Sequence, residues 1–471
     1  MKWQALLLTF LVQIAQAAET RQATGVKVGE VSGTSAIVWV RLTAESARKA
    51  DGVFQKKRPA GGKAEVLEAT LEVGDLEGSC PGAPGRVRLR YGTRKGLAKP
   101  LETDWVDVSA ENDFTHQFRL ENLEPDSECF YAVETAGPGG SPMHEPLGGH
   151  FKTAPVANES ATVTFTVITG QAYKDLDRTD GFEIYESMGR LAPSFLVATG
   201  DTVYYDTEYP RATTVPVARH HWRRMYGLPT LLNFHLKVPG YWIKDDHDTL
   251  SDDCWPTLKP DFMLPMTFED GQRIFREQVP MGDKTSRTYR WGKHLQIWLP
   301  EGRDFRSPND MEDGPDKTIW GEAQKQWLAD TILASDADWK VLISATPIVG
   351  PDRERKADNH ANSAFAHEGN EVRRWIQEHI PDNLFVVCGD RHWQYHSVHP
   401  ETGVQEFSCG PASDQHAGGS PEDAAQQCLF HRVSGGFLSV TVVPRDGGSR
   451  IAFRFHDVHG AVLYEFTKNR P

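Results

Sequence analysis

The chain has no long Lys/Arg run, no CxxC pair, no internal repeat and no apolar stretch of membrane length. Each absence excludes something. With 51 basic against 65 acidic residues the formal net charge is −14. Such a surface repels phosphate backbones and anionic lipid, so nucleic-acid binding is not expected and a local positive centre must recruit any phosphorylated substrate. The six cysteines (Cys80, Cys129, Cys254, Cys388, Cys409, Cys428) carry no zinc-ribbon or redox spacing. Their even number permits disulfides in an exported chain. Cys409 with Cys428, both in a Gly-rich, loop-like stretch, is the expected bridge. Cys80 with Cys129 is a second, while Cys388, closing an apolar run, reads as a buried thiol.

What the N-terminus does have is an export signal. Lys2 is a short basic start, Ala5 to Ile14 is mostly apolar, and Ala15-Gln16-Ala17 is a small-x-small cleavage site. The run is shorter than the ~20 residues that span a bilayer. Cleavage after Ala17 is expected, giving an exported protein, periplasmic or extracellular, with no transmembrane segment in its mature form.

A length of 471 residues predicts more than one domain. Residues 18–155 read as all-β: Ala36–Val40, Phe118–Leu120 and Cys129–Val133 recur between turn residues, the pattern of a sandwich. A polar Gly/Lys/Pro-rich insertion from about Ala47 to Gly96 is expected to interrupt it as a long loop or mobile hairpin. From residue 156 to 471 the pattern changes. Apolar strand-like runs (Val163–Ile168, Phe195–Ala198, Tyr241–Ile243, Leu295–Leu299, Val341–Ser344, Leu384–Val387) alternate with helix-period segments around Trp320–Ile332 and Val372–Ile380. That alternation predicts an α/β domain, closed by antiparallel strands after Phe437.

The chemistry lies just beyond each apolar run. Phe195–Ala198 leads into Gly200-Asp201-Thr202-Val203-Tyr204-Tyr205-Asp206, Tyr241–Ile243 into Asp245-Asp246-His247-Asp248, Leu295–Leu299 into Glu301-Gly302-Arg303-Asp304-Phe305-Arg306, and Leu384–Val387 into Gly389-Asp390-Arg391-His392. Ligands of open α/β sheets gather beyond the carboxyl ends of strands, so four polar clusters at equivalent ends converge on one place. Carboxylates gathered in a cleft repel and shift one another's pKa. A pair of metal ions resolves that conflict, and two ions ~4 Å apart can hold both the attacking and leaving oxygens of a phosphoryl displacement.

These segments, in this order, resemble the PhoD-type alkaline phosphatase family of the calcineurin-like metallophosphoesterases, and Gly321-x-x-Gln324-x-x-Trp327-Leu328 is similar to a helix of that family. The resemblance implies an N-terminal β-sandwich (fibronectin/immunoglobulin-like) followed by a four-layer α/β/β/α catalytic domain. It implies hydrolysis of small phosphate esters, alkaline phosphatase or phosphodiesterase in type, by a metal-activated hydroxide. The ions implied are Fe(III) with Ca(II) or another divalent metal. Asp201 would bridge them, and Tyr204, Asp246, Asp390 and His392 would be further ligands. His247 would hydrogen-bond the phosphate or protonate the leaving oxygen, and Arg303 would grip phosphate oxygens; a pairing of Arg303 and Arg306 with nearby acids is the other reading. The chain departs from the family at Thr169-Gly170-Gln171, where Gly170 replaces a metal-binding Cys. Asp175 or Asp177 would then swing in, or the site would hold its iron more weakly. A protein that keeps the fold in a binding or envelope role is the alternative that Gly170 leaves open. His220, His221, His396 and His399 read as loop or core histidines.

Overall fold

A computed structural model describes residues 19–57 and 71–470; the expected signal sequence lies outside them. Two large sheets dominate. In the nine-stranded sheet the order runs Val462–Arg470, Gly448–His456, Phe437–Arg445, Val163–Ile168, Phe195–Ala198, Gly240–Trp242, Lys27–Gly29, Ala36–Arg41, Thr115–Leu120. In the seven-stranded sheet it runs Arg287–Trp291, Leu295–Leu299, Trp339–Ser344, Leu384–Cys388, Gln405–Cys409, Gln394–Val398, Cys428–Arg432. The central strands of each are parallel neighbours, Val163–Ile168, Phe195–Ala198 and Gly240–Trp242 in one sheet and Leu295–Leu299, Trp339–Ser344 and Leu384–Cys388 in the other. Their carboxyl ends therefore point the same way within each sheet.

Side-chain alternation explains the packing. Phe165, Val167, Phe195, Val197 and Tyr241 share one core with Ile297, Leu299, Val341, Ile343, Phe385 and Val387 of the second sheet. The intervening residues face outward. Leu196, Ala198 and Trp242 meet the helices Glu183–Arg190, Val215–Tyr226, Pro229–His235 and Phe268–Gln278, whereas Trp298, Leu342 and Val386 meet Glu322–Ala334 and Ala366–His379. Residues alternate between opposite faces of a strand, and here both faces are apolar because both are covered.

Three N-terminal strands extend the nine-stranded sheet. Gly29 pairs in parallel with Gly240, and the antiparallel strands Ala36–Arg41 and Thr115–Leu120 complete that edge. The remaining N-terminal strands form a five-stranded sheet built on Gly85–Gly92 and Glu128–Ala136. Gly85–Gly92 falls inside the expected insertion, which is therefore shorter than the sequence suggests. The strand is Gly-Arg-Val-Arg-Leu-Arg-Tyr-Gly: Val87 and Leu89 are buried, and Arg88 and Arg90 pair outside with Glu102 and Glu134. Its period of two is plain once the arginines are read as one face rather than as loop composition.

The expected disulfides are absent: all six cysteines are free thiols. Cys409 pairs with Gln394 on one edge of the strand Gln394–Val398, and Cys428 lies opposite Ser397 on the other edge. Two strand spacings, about 10 Å, separate them, which exceeds the ~7 Å limit for bridging Cα atoms. Cys129 sits opposite Phe151 in the five-stranded sheet, and Cys80 lies instead beside Arg41.

Asp113 fastens the N-terminal strands to the catalytic helices. Its buried carboxylate accepts from Arg41 Nε and Nη2 at 3.1 Å, Arg223 Nε at 2.9 Å and Gln278 Nε2 at 2.9 Å. Burial would raise its pKa, but Arg41 and Arg223 outweigh that and hold it below the ordinary value. A depressed carboxylate pKa contributes stability above the unfolded value of ~4, and that contribution is lost as pH falls through the folded value. Asp113→Asn should cost about 3–5 kcal/mol, because two guanidinium groups lose their buried counter-charge. Urea unfolding at neutral pH tests this, and the difference from wild type should shrink in acid.

Candidate metal centre

The strand Phe195–Ala198 ends in Thr199-Gly200-Asp201, and Leu384–Cys388 ends in Gly389-Asp390. Both aspartates adopt left-handed backbone, φ 53° at Asp201 and 60° at Asp390. That conformation costs on the order of 1–2 kcal/mol in a non-glycine residue. It turns the chain away from the strand direction just past the carboxyl end of each strand. The preceding glycines permit the turn. A Cβ at Gly200 would lie 2.4 Å from Asp245 Cβ, and one at Gly389 would lie 2.4 Å from Thr199 Oγ1. Close backbone approach is thus what brings these strand ends together.

Asp201 is 1% exposed, and its Oδ1 is buried with no hydrogen-bond partner. Ligand atoms of Asp201, Asp246 and His247 lie within 4.8 Å of one another, and Asp252 and Asp253 form a second such group with Asp246. Asp246 accepts from the backbone N–H of His247 at 2.9 Å and of Asp253 at 2.6 Å. Burial, resisted by His247 and reinforced by Asp246, Asp245 and Asp248, raises the Asp201 pKa well above the carboxylate range. Burial also acts on Asp246, but Arg303, His247 and Lys356 outweigh it and lower its pKa. The two neighbouring carboxylates are thus pushed in opposite directions, and further positive charge would ease the burial of Asp201.

Tyr204 stands over Asp201. Its hydroxyl lies 3.0 Å from Asp201 Oδ2, 3.3 Å from His392 Nε2 and 2.8 Å from His416 Nε2. Burial and the Asp201 carboxylate push the phenol pKa well up, so only a directly bound cation would make it a phenolate. Burial, then His416 and Arg391, push His392 well below its ordinary value; it is the neutral imidazole that ligates metals. Asp390 lies at the adjoining strand end. Its backbone N–H donates to Thr169 Oγ1 at 3.3 Å and its carboxylate is paired with Arg391.

His247 is anchored from behind. Its Nδ1 lies 2.7 Å from Asp206 Oδ1, and its ring lies 4.5 Å from that of Tyr204. Burial would lower its pKa, but Asp206, Asp246 and Asp201 together raise it well above the ordinary value. Arg303 is wholly buried. Its Nε donates to Asp245 Oδ1 at 2.6 Å, its Nη1 to the Cys254 carbonyl at 3.2 Å, and its Nη2 lies 3.8 Å from Asp246. It thus sits beneath the acidic loop. Arg306 donates to the backbone carbonyl of Asp358 and to Asn309.

Gly170 has φ 60°, and a Cβ there would lie 3.4 Å from His392 Cδ2. Neither nearby aspartate points into that space as a free group. Asp177 accepts from Ser413 Oγ at 2.7 Å and from the Glu183 N–H at 3.0 Å, and Asp175 lies 3.0 Å from His416 Nδ1. Sequence reasoning misses Asp206 and His416. Asp206 ends the Gly200–Asp206 motif already singled out, whereas His416 lies in a Gly/Ser-rich loop with no motif to mark it. His220, His221 and His396 are buried and have other neighbours.

The sequence matches the PhoD-like phosphatase family over residues 165–435 and the N-terminal domain of PhoD-like phosphatases over residues 10–155. The protein belongs to the PhoD-like phosphatase family. It is therefore a phosphoric ester hydrolase of the metal-dependent phosphoesterase class. Its fold is similar to that of PhoD, with a TM-score of 0.74 at 14% identity over 96% of this chain and 91% of that one. A purple acid phosphatase from yellow lupin (Lupinus luteus) seeds is also similar, with a TM-score of 0.63 at 12% identity over 94% and 74% of the two chains. No curated protein sequence matches. No helix among the described residues is long and apolar enough to cross a membrane.

Arg303→Ala leaves Asp245 and Asp246 without their buried counter-charge and should destabilise the fold by about 3–5 kcal/mol. Arg303→Lys should recover only part, since a single ammonium cannot reproduce the fork spanning Asp245 and the Cys254 carbonyl. Chemical denaturation of the two variants checks this; a stable, inactive alanine variant would instead mark Arg303 as a substrate contact.

Proposed function

We propose that this protein is an exported hydrolase of small phosphate esters whose centre holds two metal ions, Fe(III) with Ca(II) or another divalent ion. Asp201 would bridge them, with Tyr204, Asp246, Asp390 and His392 as further ligands. The observation that carries the reading is the fully buried, unpartnered Oδ1 of Asp201 within reach of Asp246, below Tyr204. Carboxylate, phenol and imidazole together make the hard, oxygen-rich donor set that suits such ions. Bound there, the metal ions supply Lewis acidity to phosphoryl oxygens and lower the pKa of water. The layered cores support a helix–sheet–sheet–helix catalytic unit over residues 156–471, with residues 18–155 as its N-terminal domain.

The protein's own side chains do the rest. Asp206 holds His247 Nδ1, which leaves Nε2 to donate a proton or hydrogen bond to the departing oxygen. The raised His247 pKa suits a donor. Arg303 keeps Asp245 and Asp246 in place, and its own hydrogen bonds favour that positioning role over a grip on the phosphate.

Treatment with a strong chelator should abolish hydrolysis of an activated phosphate ester, and comparing a monoester with a diester sets the preference. Asp201→Ala should lose metal and activity together. His247→Ala should keep most of its metal yet lose turnover by ~100-fold or more on an ester with a basic leaving group, and less on one that needs no proton. Equal metal loss in both variants would make His247 a ligand. A wild-type protein that carries no metal and turns over no ester would favour the binding or envelope role.

A further inference from the structure

Gly170 removes a ligand from one end of the centre, and the loop carrying His416 is bonded to the same backbone. Thr169 and Pro411 form a parallel bridge, and the Ala412 N–H donates to the Gly170 carbonyl at 3.3 Å. A few residues on, Ser413 accepts from the Gln415 N–H to start the short turn Asp414–His416, and its own hydroxyl donates to Asp177. The Gly418 N–H then closes the loop onto the His392 carbonyl at 2.9 Å. His416 is thereby fixed against the segment that lacks a side chain.

Its ring is placed as a ligand would be. The Nε2 atom points to the Tyr204 hydroxyl at 2.8 Å, and the ring lies 4.1 Å from that of His392. Three donors therefore surround the phenol oxygen: Asp201 Oδ2 at 3.0 Å, His392 Nε2 at 3.3 Å and His416 Nε2 at 2.8 Å. Ligand bonds of about 2.0–2.2 Å put neighbouring donors of one coordination sphere about 3–3.5 Å apart, close to the 2.8–3.3 Å that separates each of the three from the Tyr204 oxygen. On the far side of the ring, Nδ1 lies 3.0 Å from the Asp175 carboxylate. A carboxylate on the second nitrogen fixes tautomer and orientation, and it typically accompanies a metal-bound histidine. Asp175 comes five residues after Gly170 on the same segment, so the stretch that lost one donor also carries the group that orients another.

We propose that His416 is a metal ligand, filling the coordination place that Gly170 leaves open, with Asp175 as its positioning residue. This rests on the metal-centre reading above. The full mature protein and its Asp201→Ala, His416→Ala, His416→Gln and Asp175→Asn variants would be stripped of metal and titrated with Co(II), monitoring absorbance and bound cobalt per chain. Both His416 variants should bind one of the ions more than 100-fold more weakly, and Asp175→Asn about 10–100-fold more weakly. Metal-free melting temperatures verify folding, and the glutamine variant, which keeps a polar contact to Tyr204, decides the matter if the alanine variant folds poorly. Wild-type affinity in His416→Gln, with binding lost in Asp201→Ala, would overturn the ligand role of His416 and leave the centre standing. Unchanged binding in Asp201→Ala would overturn both.

Discussion

Four carboxylates, Asp201, Asp245, Asp246 and Asp248, are buried at adjoining strand ends, and the cleft makes physical sense only through the cations that offset them. Arg303 is one cation the chain supplies from within, engaged with Asp245 and close to Asp246. Asp248 is satisfied differently: it accepts from the backbone N–H groups of Asp245 at 2.7 Å and Thr202 at 3.2 Å, and burial pushes its pKa to about 8. Asp201 receives a hydrogen bond on Oδ2 from Tyr204 and none on Oδ1. The unbalanced charge of the cleft is thus concentrated where Tyr204, Asp246, His247 and His392 meet. Everything nearby either tolerates that concentration or directs it.

The backbone carries part of the cost. Left-handed geometry at Asp201 and Asp390, and the glycines before them, put two carboxylates where an ordinary strand continuation would carry them away. Such strain persists only when the surroundings over-determine it. Here the Gln171 N–H donates to the Asp201 carbonyl at 2.8 Å, and Thr169 Oγ1 links the Gly200 carbonyl to the Asp390 N–H. The segment around Gly170 is thus tied to both strand ends through its backbone and Thr169.

Strand ends were legible in the sequence because their signals are local: an apolar run, a glycine, then acids and imidazoles. Asp201, Tyr204, Asp246 and His247 are within a few residues of such a run, and the structure gathers them. Arg303 was legible as a neighbour of the site but not in its orientation, because nothing local shows that its partner is Asp245 on another strand end. His416 was not legible at all; its meaning comes from the bridge between Thr169 and Pro411, a contact between segments far apart in the chain. Gly85–Gly92 was hidden for a different reason: three arginines made one face of a half-exposed strand look like loop composition. The cysteines misled through loop-like surroundings, since two buried or half-buried strands give no sequence sign that a third lies between them.

The asymmetry between the two ends of the centre arises from these placements. Around Asp246 the donors are acids held by backbone N–H groups and backed by Arg303 and Lys356, whose ammonium lies 2.6 Å from Asp253. Around Tyr204 they are a phenol and two imidazoles, of which His416 is backed by the Asp175 carboxylate. Phenol and imidazole suit an ion of higher charge density and transition-metal character, whereas a ring of carboxylates suits a hard divalent ion. A neutral imidazole at the Tyr204 end adds no negative charge, where a thiolate would add one. The end that holds His392 and His416 is therefore less acidic than the end that holds Asp246, Asp252 and Asp253. His247 adjoins both ends, its ring 4.5 Å from that of Tyr204 and a ring nitrogen within 4.8 Å of Asp246, so it stands between the acid-rich end and the imidazole end.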